Sequence, residues 1–332
     1  MSEVVSLPYL PPDGVDAAYA VFPKDRRTVT TDGTTLAWTL LPPARGVAER
    51  TPVITANGWS CSDAYWAHIA PALTALGHPV LVVDTRGHGA SGLPRHPGRG
   101  ARDLRTEDIS IGRIATDLWE VADAAGIDEA IVMGHSMGVQ VTLEADRVAP
   151  DRVAGLVLIA GSYENPLKTF WGLPLADMAF PFAKLAATST PAPVLKLAMQ
   201  PARLTAFGAW AAKLARATGP KAQAQDMAPY LLHIASTDMA VMIRLIDAMR
   251  RHSAADHLRK VSAPTLVLAA GRDTFTPPRC SQHMFERIPT AEIQWFAEAG
   301  HTLPIEEPDA IVAHVDEWYA RRVAPSSDVA AG

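Results

Sequence analysis

The chain has 332 residues, 48% hydrophobic and 20% charged, with a formal net charge of −5. That length suits one large α/β domain with an insertion, or two small domains, and the acidic balance gives a nucleic-acid partner no electrostatic case. Two cysteines, Cys61 and Cys280, make neither a disulfide framework nor a metal site, and no run approaches the ~18 uninterrupted apolar residues of a membrane span, so no stable membrane insertion is expected.

Met1–Pro12 lacks a basic start followed by a long apolar stretch. No secretory signal is therefore read, and a cytoplasmic protein is expected. Residues 1–25 are punctuated by proline and are expected to wrap the surface. Thr28–Leu41 has β-branched residues on two arms around Asp32-Gly33, the pattern of a hairpin. Pro52–Ala56 is a short apolar strand ending at Asn57-Gly58; Asp63–Leu76 follows as a helix, with Gly77 as its stop. Pro79–Val83 is the next strand and runs into Asp84-Thr85-Arg86-Gly87-His88-Gly89. Leu93–Leu104, rich in Arg, Gly and Pro, reads as an exposed loop. Ile109–Ala125 has helical periodicity and stops at Gly126; Ala130–Met133 is a strand, Met137–Val148 a helix and Val153–Ile159 a buried-type strand.

The pattern then changes. Ser162–His257 holds no convincing strand and is rich in Ala, Leu, Met and Lys, cut into short pieces by prolines. Strand–helix alternation resumes at Pro264–Ala270 and Ile293–Phe296, followed by a helix over Asp309–Arg321. Apolar strands separated by helices predict an α/β fold, a mostly parallel sheet flanked by helices on both faces. The helical block between two late strands reads as a lid over the strand C-termini. The expected organisation is a core over residues 1–162, a lid over 163–257, the second part of the core over 258–322, and a flexible tail over 323–332.

Chemistry is concentrated at Gly134-His135-Ser136-Met137-Gly138, a G-x-S-x-G pattern between a strand and a helix. Ser136 is the candidate nucleophile. A serine hydroxyl needs a base within hydrogen-bond reach, and the tight turn needs small residues at positions 134 and 138. His301, in a loop just past a strand, is the candidate general base and then acid. Asp273, just beyond the strand of Thr265–Ala270, is the candidate acid that orients His301. A competing position, after Val153–Ile159, has no carboxylate before Glu164. The order Ser, Asp, His differs from the chymotrypsin and subtilisin orders. A tetrahedral intermediate carries an oxyanion, which the backbone N–H groups of Trp59 and Met137 are expected to meet. Arg86 and Asp84 are expected to pair and brace their loop; His88 is read as structural and Cys61 as packing.

Together the Asn57 turn, Asp84–Gly92, the Ser136 elbow and the Asp273/His301 pair resemble the α/β-hydrolase superfamily, specifically its lid-bearing serine hydrolases of esterase/lipase type, over roughly residues 28–322. The resemblance implies hydrolysis through an acyl-enzyme, with no cofactor and no metal. Epoxide hydrolases and haloalkane dehalogenases share the fold but use an aspartate nucleophile, against which Ser136 argues. The family commonly has His-Gly where this chain has Asn57-Gly58, and often glycine where it has Val139.

The expected partner is a small-molecule ester, of small or medium apolar acyl type. Residues 163–257 carry ten Lys/Arg against six Asp/Glu, with Phe170, Trp171, Phe180, Phe182, Phe207, Trp210 and several methionines, among them Met178, Met199, Met239 and Met242. Most of these apolar residues are expected to form the segment's own core and its contact with the main domain. Carbon–carbon bond hydrolysis and acyl transfer use the same triad and stand as alternatives, with a non-catalytic ligand receptor behind them.

Overall fold

The structure is a computed structural model and describes residues 4–6, 21–94, 104–169, 175–190, 194, 197, 218–222 and 224–324. Most of the expected Leu93–Leu104 loop, Phe170, Trp171, Met199, Phe207, Trp210 and the tail Pro325–Gly332 lie outside the described residues.

Among the described residues nine strands form one sheet: β1 (Val4–Ser6), β2 (Arg26–Val29), β3 (Thr35–Leu41), β4 (Val53–Ala56), β5 (Val80–Val83), β6 (Ala130–His135), β7 (Val153–Ile159), β8 (Thr265–Ala270) and β9 (Ala291–Phe296). Their order is β1-β2-β3-β5-β4-β6-β7-β8-β9. The pairings from β1 to β3, and of β3 with β5, are antiparallel. From β5 across to β9 every pairing is parallel. Segment 1–25 was expected only to wrap the surface, but Val4–Ser6 adds a strand to the sheet edge, paired with Arg26–Thr28. Lys24, from the same stretch, is buried.

The helices are α1 (Ile69–Ala75), α2 (Ile111–Ala125), α3 (Met137–Val148), α4 (Leu175–Ser189), α5 (Ala224–Ser236), α6 (Met239–Arg251), α7 (Pro278–Arg287), α8 (Leu303–Glu306) and α9 (Pro308–Arg322). Side chains along a strand alternate between faces. Ile54, Leu81, Val132, Leu156 and Val267 therefore pack in one core with Ile114 and Leu118 of α2 and Leu143 of α3. Their neighbours Val53, Val80, Ile131, Val157 and Leu266 pack in the other with Leu73 of α1 and Trp318 of α9. Each fully buried aliphatic side chain contributes about 1.5–3 kcal/mol, so this two-sided burial is the main stabilising term.

Local signals explain the helix ends. Ser110 caps α2 by accepting from Arg113 N–H at 3.1 Å, and Gly126 ends it with φ 73°. The single helix expected over Asp63–Leu76 is instead a 3-10 turn, Asp63–Trp66, followed by α1. Pro71 is the reason: it has no N–H to give the Ala67 carbonyl, and its ring crowds that carbonyl, so an α-helix cannot run through from residue 63.

Between β7 and β8 the described elements are all helical: 3-10 turns at Pro166–Lys168 and Leu258–Lys260, with α4, α5 and α6 between them. Phe180, Met227, Met242 and Met249 are buried, as the core reading of this segment expects. Met178 and Phe182 depart from it, at 70% and 76% exposed; with Leu185 at 66% they form an apolar stripe along α4.

Candidate active site

The C-terminal ends of four parallel strands bring the expected site residues together, where open α/β sheets gather their reacting groups. Trp59 follows β4, Ser136 follows β6, Asp273 follows β8 and His301 follows β9. Ser136 Oγ lies 2.9 Å from His301 Nε2, and His301 Nδ1 lies 2.8 Å from Asp273 Oδ2. The Asp273 carboxylate accepts only, so Nδ1 carries the hydrogen and Nε2 is left to accept from the serine hydroxyl. Ser136 is 8% exposed, Asp273 is buried and His301 partly buried.

Backbone strain is placed here. The described non-glycine residues with positive φ are Ser60 (59°), Ser136 (58°) and Ala160 (41°), which follow β4, β6 and β7. Each such conformation costs roughly 1–2 kcal/mol for an L-residue. The elbow also needs its glycines. A Cβ at Gly134 would lie 2.2 Å from Gly138 O, and one at Gly138 would lie 2.1 Å from Ala56 O.

The turn after β4 packs directly on Ser136: a Cβ at Gly58 would lie 3.1 Å from Ser136 Cβ. Asn57 braces this turn, with Nδ2 donating to Val83 O at 3.1 Å and Oδ1 accepting from Trp66 Nε1 at 2.6 Å. Met137 opens α3, so its N–H is one of the first four that a helix leaves without an internal partner. Cys61 lies beside the turn and is buried; burial pushes its thiol up to about 12, and packing is its role.

A family model described as "Serine aminopeptidase, S33" matches residues 49–309. The chain belongs to this family. A protein of Pseudomonas savastanoi pv. phaseolicola, described as a candidate carbamate hydrolase, RutD, is 30% identical over 264 residues, 79% of this chain and 90% of that one. Its counterpart in Variovorax paradoxus is 28% identical, covering 84% of this chain and 96% of that one. Among solved structures, the enol-lactonase of Burkholderia xenovorans LB400 superposes with a TM-score of 0.68 at 20% identity, covering 89% of this chain and 99% of that one. A hydrolase from Pseudomonas aeruginosa PA01 gives 0.67 at 23%, covering 88% and 97%. The protein is thus a serine hydrolase of the α/β-hydrolase superfamily.

Several residues of this hydrolase that sequence reasoning missed support the Ser136–His301–Asp273 chain. Asp273 Oδ1 accepts from the N–H groups of Phe275 and Thr276 at 2.8 and 2.9 Å, and Thr276 Oγ1 lies 2.8 Å from Oδ2. The Phe275 ring stacks on His301 at 5.0 Å. Both residues stand in the run Asp273-Thr-Phe-Thr276, where an Asp side chain turning back to N–H groups two and three residues on was a readable signal. His135, inside the motif itself, lies with Nε2 2.8 Å from the His301 carbonyl. Burial holds its imidazole well below the usual histidine range, and nearby His301 adds to this. Buried Glu306 accepts from Gly300 N–H at 3.2 Å, from Thr302 Oγ1 at 2.7 Å and from Gly219 N–H at 3.0 Å, which ties the histidine loop to the β7–β8 insertion.

The expected Arg86–Asp84 pair does not form. Arg86 makes a two-pronged contact with Asp117 of α2, Nε–Oδ2 and Nη2–Oδ1 both 2.6 Å, and reaches Asp32 at 2.9 Å. Asp84 faces the buried Lys24, 3.5 Å away, which Asp63 also contacts at 2.7 Å. Burial opposes the charge on Lys24, but the two carboxylates outweigh it and raise its pKa. His88 is buried and stacked on His233 at 5.5 Å, and burial lowers it to about 3. Among the described residues no cluster of His, Cys, Asp and Glu forms a metal site, and no helix is long and apolar enough to cross a membrane.

Proposed function

We propose that this hydrolase cleaves carboxylic esters of small or medium apolar acyl groups through an acyl-enzyme on Ser136. The observation that carries the reading is the continuous chain Ser136 Oγ–His301 Nε2–Asp273 Oδ2, with links of 2.9 and 2.8 Å. Ser136 Oγ attacks the carbonyl carbon while its proton passes to His301 Nε2. The oxyanion that forms is met by the N–H groups of Trp59 and Met137. Collapse of the intermediate expels the alcohol, which takes the proton from His301. Water then attacks the acyl-enzyme, His301 removes its proton, and the acid leaves with Ser136 restored. Asp273 stays ionised throughout, orienting the imidazole and stabilising its charged form. No step requires a metal or an organic cofactor.

We treat the insertion between β7 and β8 as a cap over the strand ends, on the contacts its described residues make there. Trp59 Nε1 donates to Met242 O of α6 at 2.8 Å, and Ser60 O lies 2.9 Å from His233 Nδ1 of α5. A cytoplasmic location fits the two free, buried cysteines.

A second reading is carbamate cleavage. It is favoured by relatives described as candidate carbamate hydrolases that match this chain at 28–30% identity over 79–84% of its length. A carbamate carbonyl passes through the same tetrahedral intermediate, so the triad serves either. Turnover of p-nitrophenyl esters from acetate to decanoate, beside the matching p-nitrophenyl carbamate, separates the two. Ester turnover that disappears in Ser136→Ala supports the first reading, and the chain-length optimum measures the acyl pocket. Turnover of the carbamate alone supports the second, and equal activity in Ser136→Ala rejects both.

A further inference from the structure

Among the described residues with strained backbone, Ser60 is the one outside the elbow and the strand-end turn beside it, and it lies in the turn that carries Trp59. That turn is closed by Cys61 N–H donating to Gly58 O at 3.2 Å, with Ser60 fully buried. A serine persists in the left-handed region where its surroundings over-determine it. Here two side chains of α5 do so. Tyr230 Oη lies 3.3 Å from Ser60 Oγ, and His233 Nδ1 lies 2.9 Å from Ser60 O.

The protonation of His233 follows from its partners. Gly89 N–H donates to Nε2 at 3.2 Å, so Nε2 carries a lone pair, and Nδ1–H then donates to the Ser60 carbonyl. His233 is 1% exposed, and water cannot replace either bond. One imidazole therefore joins the insertion to two core loops, those after β4 and β5. A second tie to the same turn runs from Trp59 Nε1 to Met242 O.

We propose that His233, supported by Tyr230, is a positioning residue that holds the Trp59–Ser60 turn in the geometry that receives the oxyanion. The inference rests on the reading above that Trp59 N–H is an oxyanion donor. On it, the insertion does more than cover substrate: its α5 helix sets the position of a transition-state contact. Such a contact acts on the chemical step, so its loss lowers kcat and leaves KM in place.

Three variants test this, each checked for folding by circular dichroism. His233→Leu removes both hydrogen bonds and fills the space. His233→Asn keeps an amide donor near the Nδ1 position. Tyr230→Phe removes one hydroxyl and keeps the ring. Two readouts are used: kcat and KM on the best p-nitrophenyl ester, and the rate at which a fluorophosphonate labels Ser136, since phosphonylation develops negative charge on the same oxygen. Complete loss of an oxyanion donor costs ~10²–10³ in kcat, so displacement of one in His233→Leu is expected to cost ~10–100-fold in kcat and in labelling, with KM within about 3-fold. His233→Asn is expected to recover to within about 5-fold of wild type, and Tyr230→Phe to lose about 3–10-fold in both readouts.

The proposal is overturned if folded His233→Leu keeps wild-type kcat and labelling, or if its whole loss lies in KM, as for a residue that merely seats the insertion. Should His233→Leu not fold, His233→Asn and Tyr230→Phe decide: unchanged labelling in Tyr230→Phe, or Asn as impaired as a null variant, overturns it. Failure of the esterase reading looks different. Wild type then turns over no ester, while fluorophosphonate labelling of Ser136 still reads the turn.

Discussion

His135 sits immediately before Ser136 and donates Nε2–H to the backbone carbonyl of His301 at 2.8 Å. The carbonyl only accepts, so the hydrogen must be on Nε2, and buried Nδ1 is left without a hydrogen-bond partner among the described residues. The ring is stacked on Tyr65 at 4.7 Å. The second position of the G-x-S-x-G motif thus anchors the loop of the proposed base.

His135→Phe keeps the stacking and loses the hydrogen bond. Small displacements of reacting groups are costly, so kcat is expected to fall about tenfold with KM within about 3-fold. His135→Gln, whose amide reaches the same carbonyl, is expected to recover most of it. Steady-state kinetics on the best ester checks this; a Phe variant equal to wild type would make the contact incidental.

Arg86 is fully buried against Asp117, which Arg113 also contacts at 2.9 Å, so removal of Arg86 leaves the buried Asp117 carboxylate with one of its two cations. With Arg113 still on Asp117, Arg86→Met is expected to lose about 3 kcal/mol of stability, the low end for a broken buried pair, and the double variant with Asp117→Leu to regain part of it. Urea denaturation of the set measures the coupling. Purely additive losses would show that the two charges act independently.

Two glycine-to-alanine changes should behave oppositely. At Gly138 the new methyl meets Ala56 O at 2.1 Å, so Gly138→Ala should abolish activity or folding. At Gly112, on α2, nothing lies nearer than 3.8 Å, so Gly112→Ala should raise stability by about 0.4–1 kcal/mol. Thermal melts and ester turnover test the pair; an active, stable Gly138→Ala protein would contradict the close approach at the elbow.

Stability should fall with acid earlier than carboxylates alone would cause. Burial lowers His88 to about 3 and His233 to about 4 from an ordinary value of 6.5, and it also lowers His78 and His135. Between pH 6.5 and about 4 the unfolded chain binds protons at these sites that the folded chain refuses. Unfolding is favoured progressively as the pH drops through that window, and the stability is fully present above it. Burial raises Asp84, Asp117 and Asp146, which work in the opposite sense above their ordinary 3.8. Four histidines act downward from their ordinary 6.5, against three carboxylates whose ordinary value lies below pH 4, and between pH 7 and 5 the histidines are expected to prevail. Urea midpoints at pH 7, 6 and 5 should decline; a constant midpoint would mean that the buried imidazoles are hydrated.

By itself the sequence determined the periodic elements and which three residues meet at the strand ends. Strands such as Val153–Ile159 and helices such as Met137–Val148 are local patterns of apolar spacing, and Ser136, Asp273 and His301 each stand just past a strand whose end is readable. Parallel strands carry their C-terminal ends to one edge, so order along the chain was enough to bring these three together. Tertiary structure alone decided the partners of buried polar groups. Arg86 turned to Asp117 rather than Asp84, Lys24 came in to serve Asp84 and Asp63, and His233 reached from the insertion to Ser60. These pairs lie 31, 39, 60 and 173 positions apart in sequence. Their choice depends on which long side chain reaches a carboxylate or carbonyl once water is excluded, and no local periodicity carries that information.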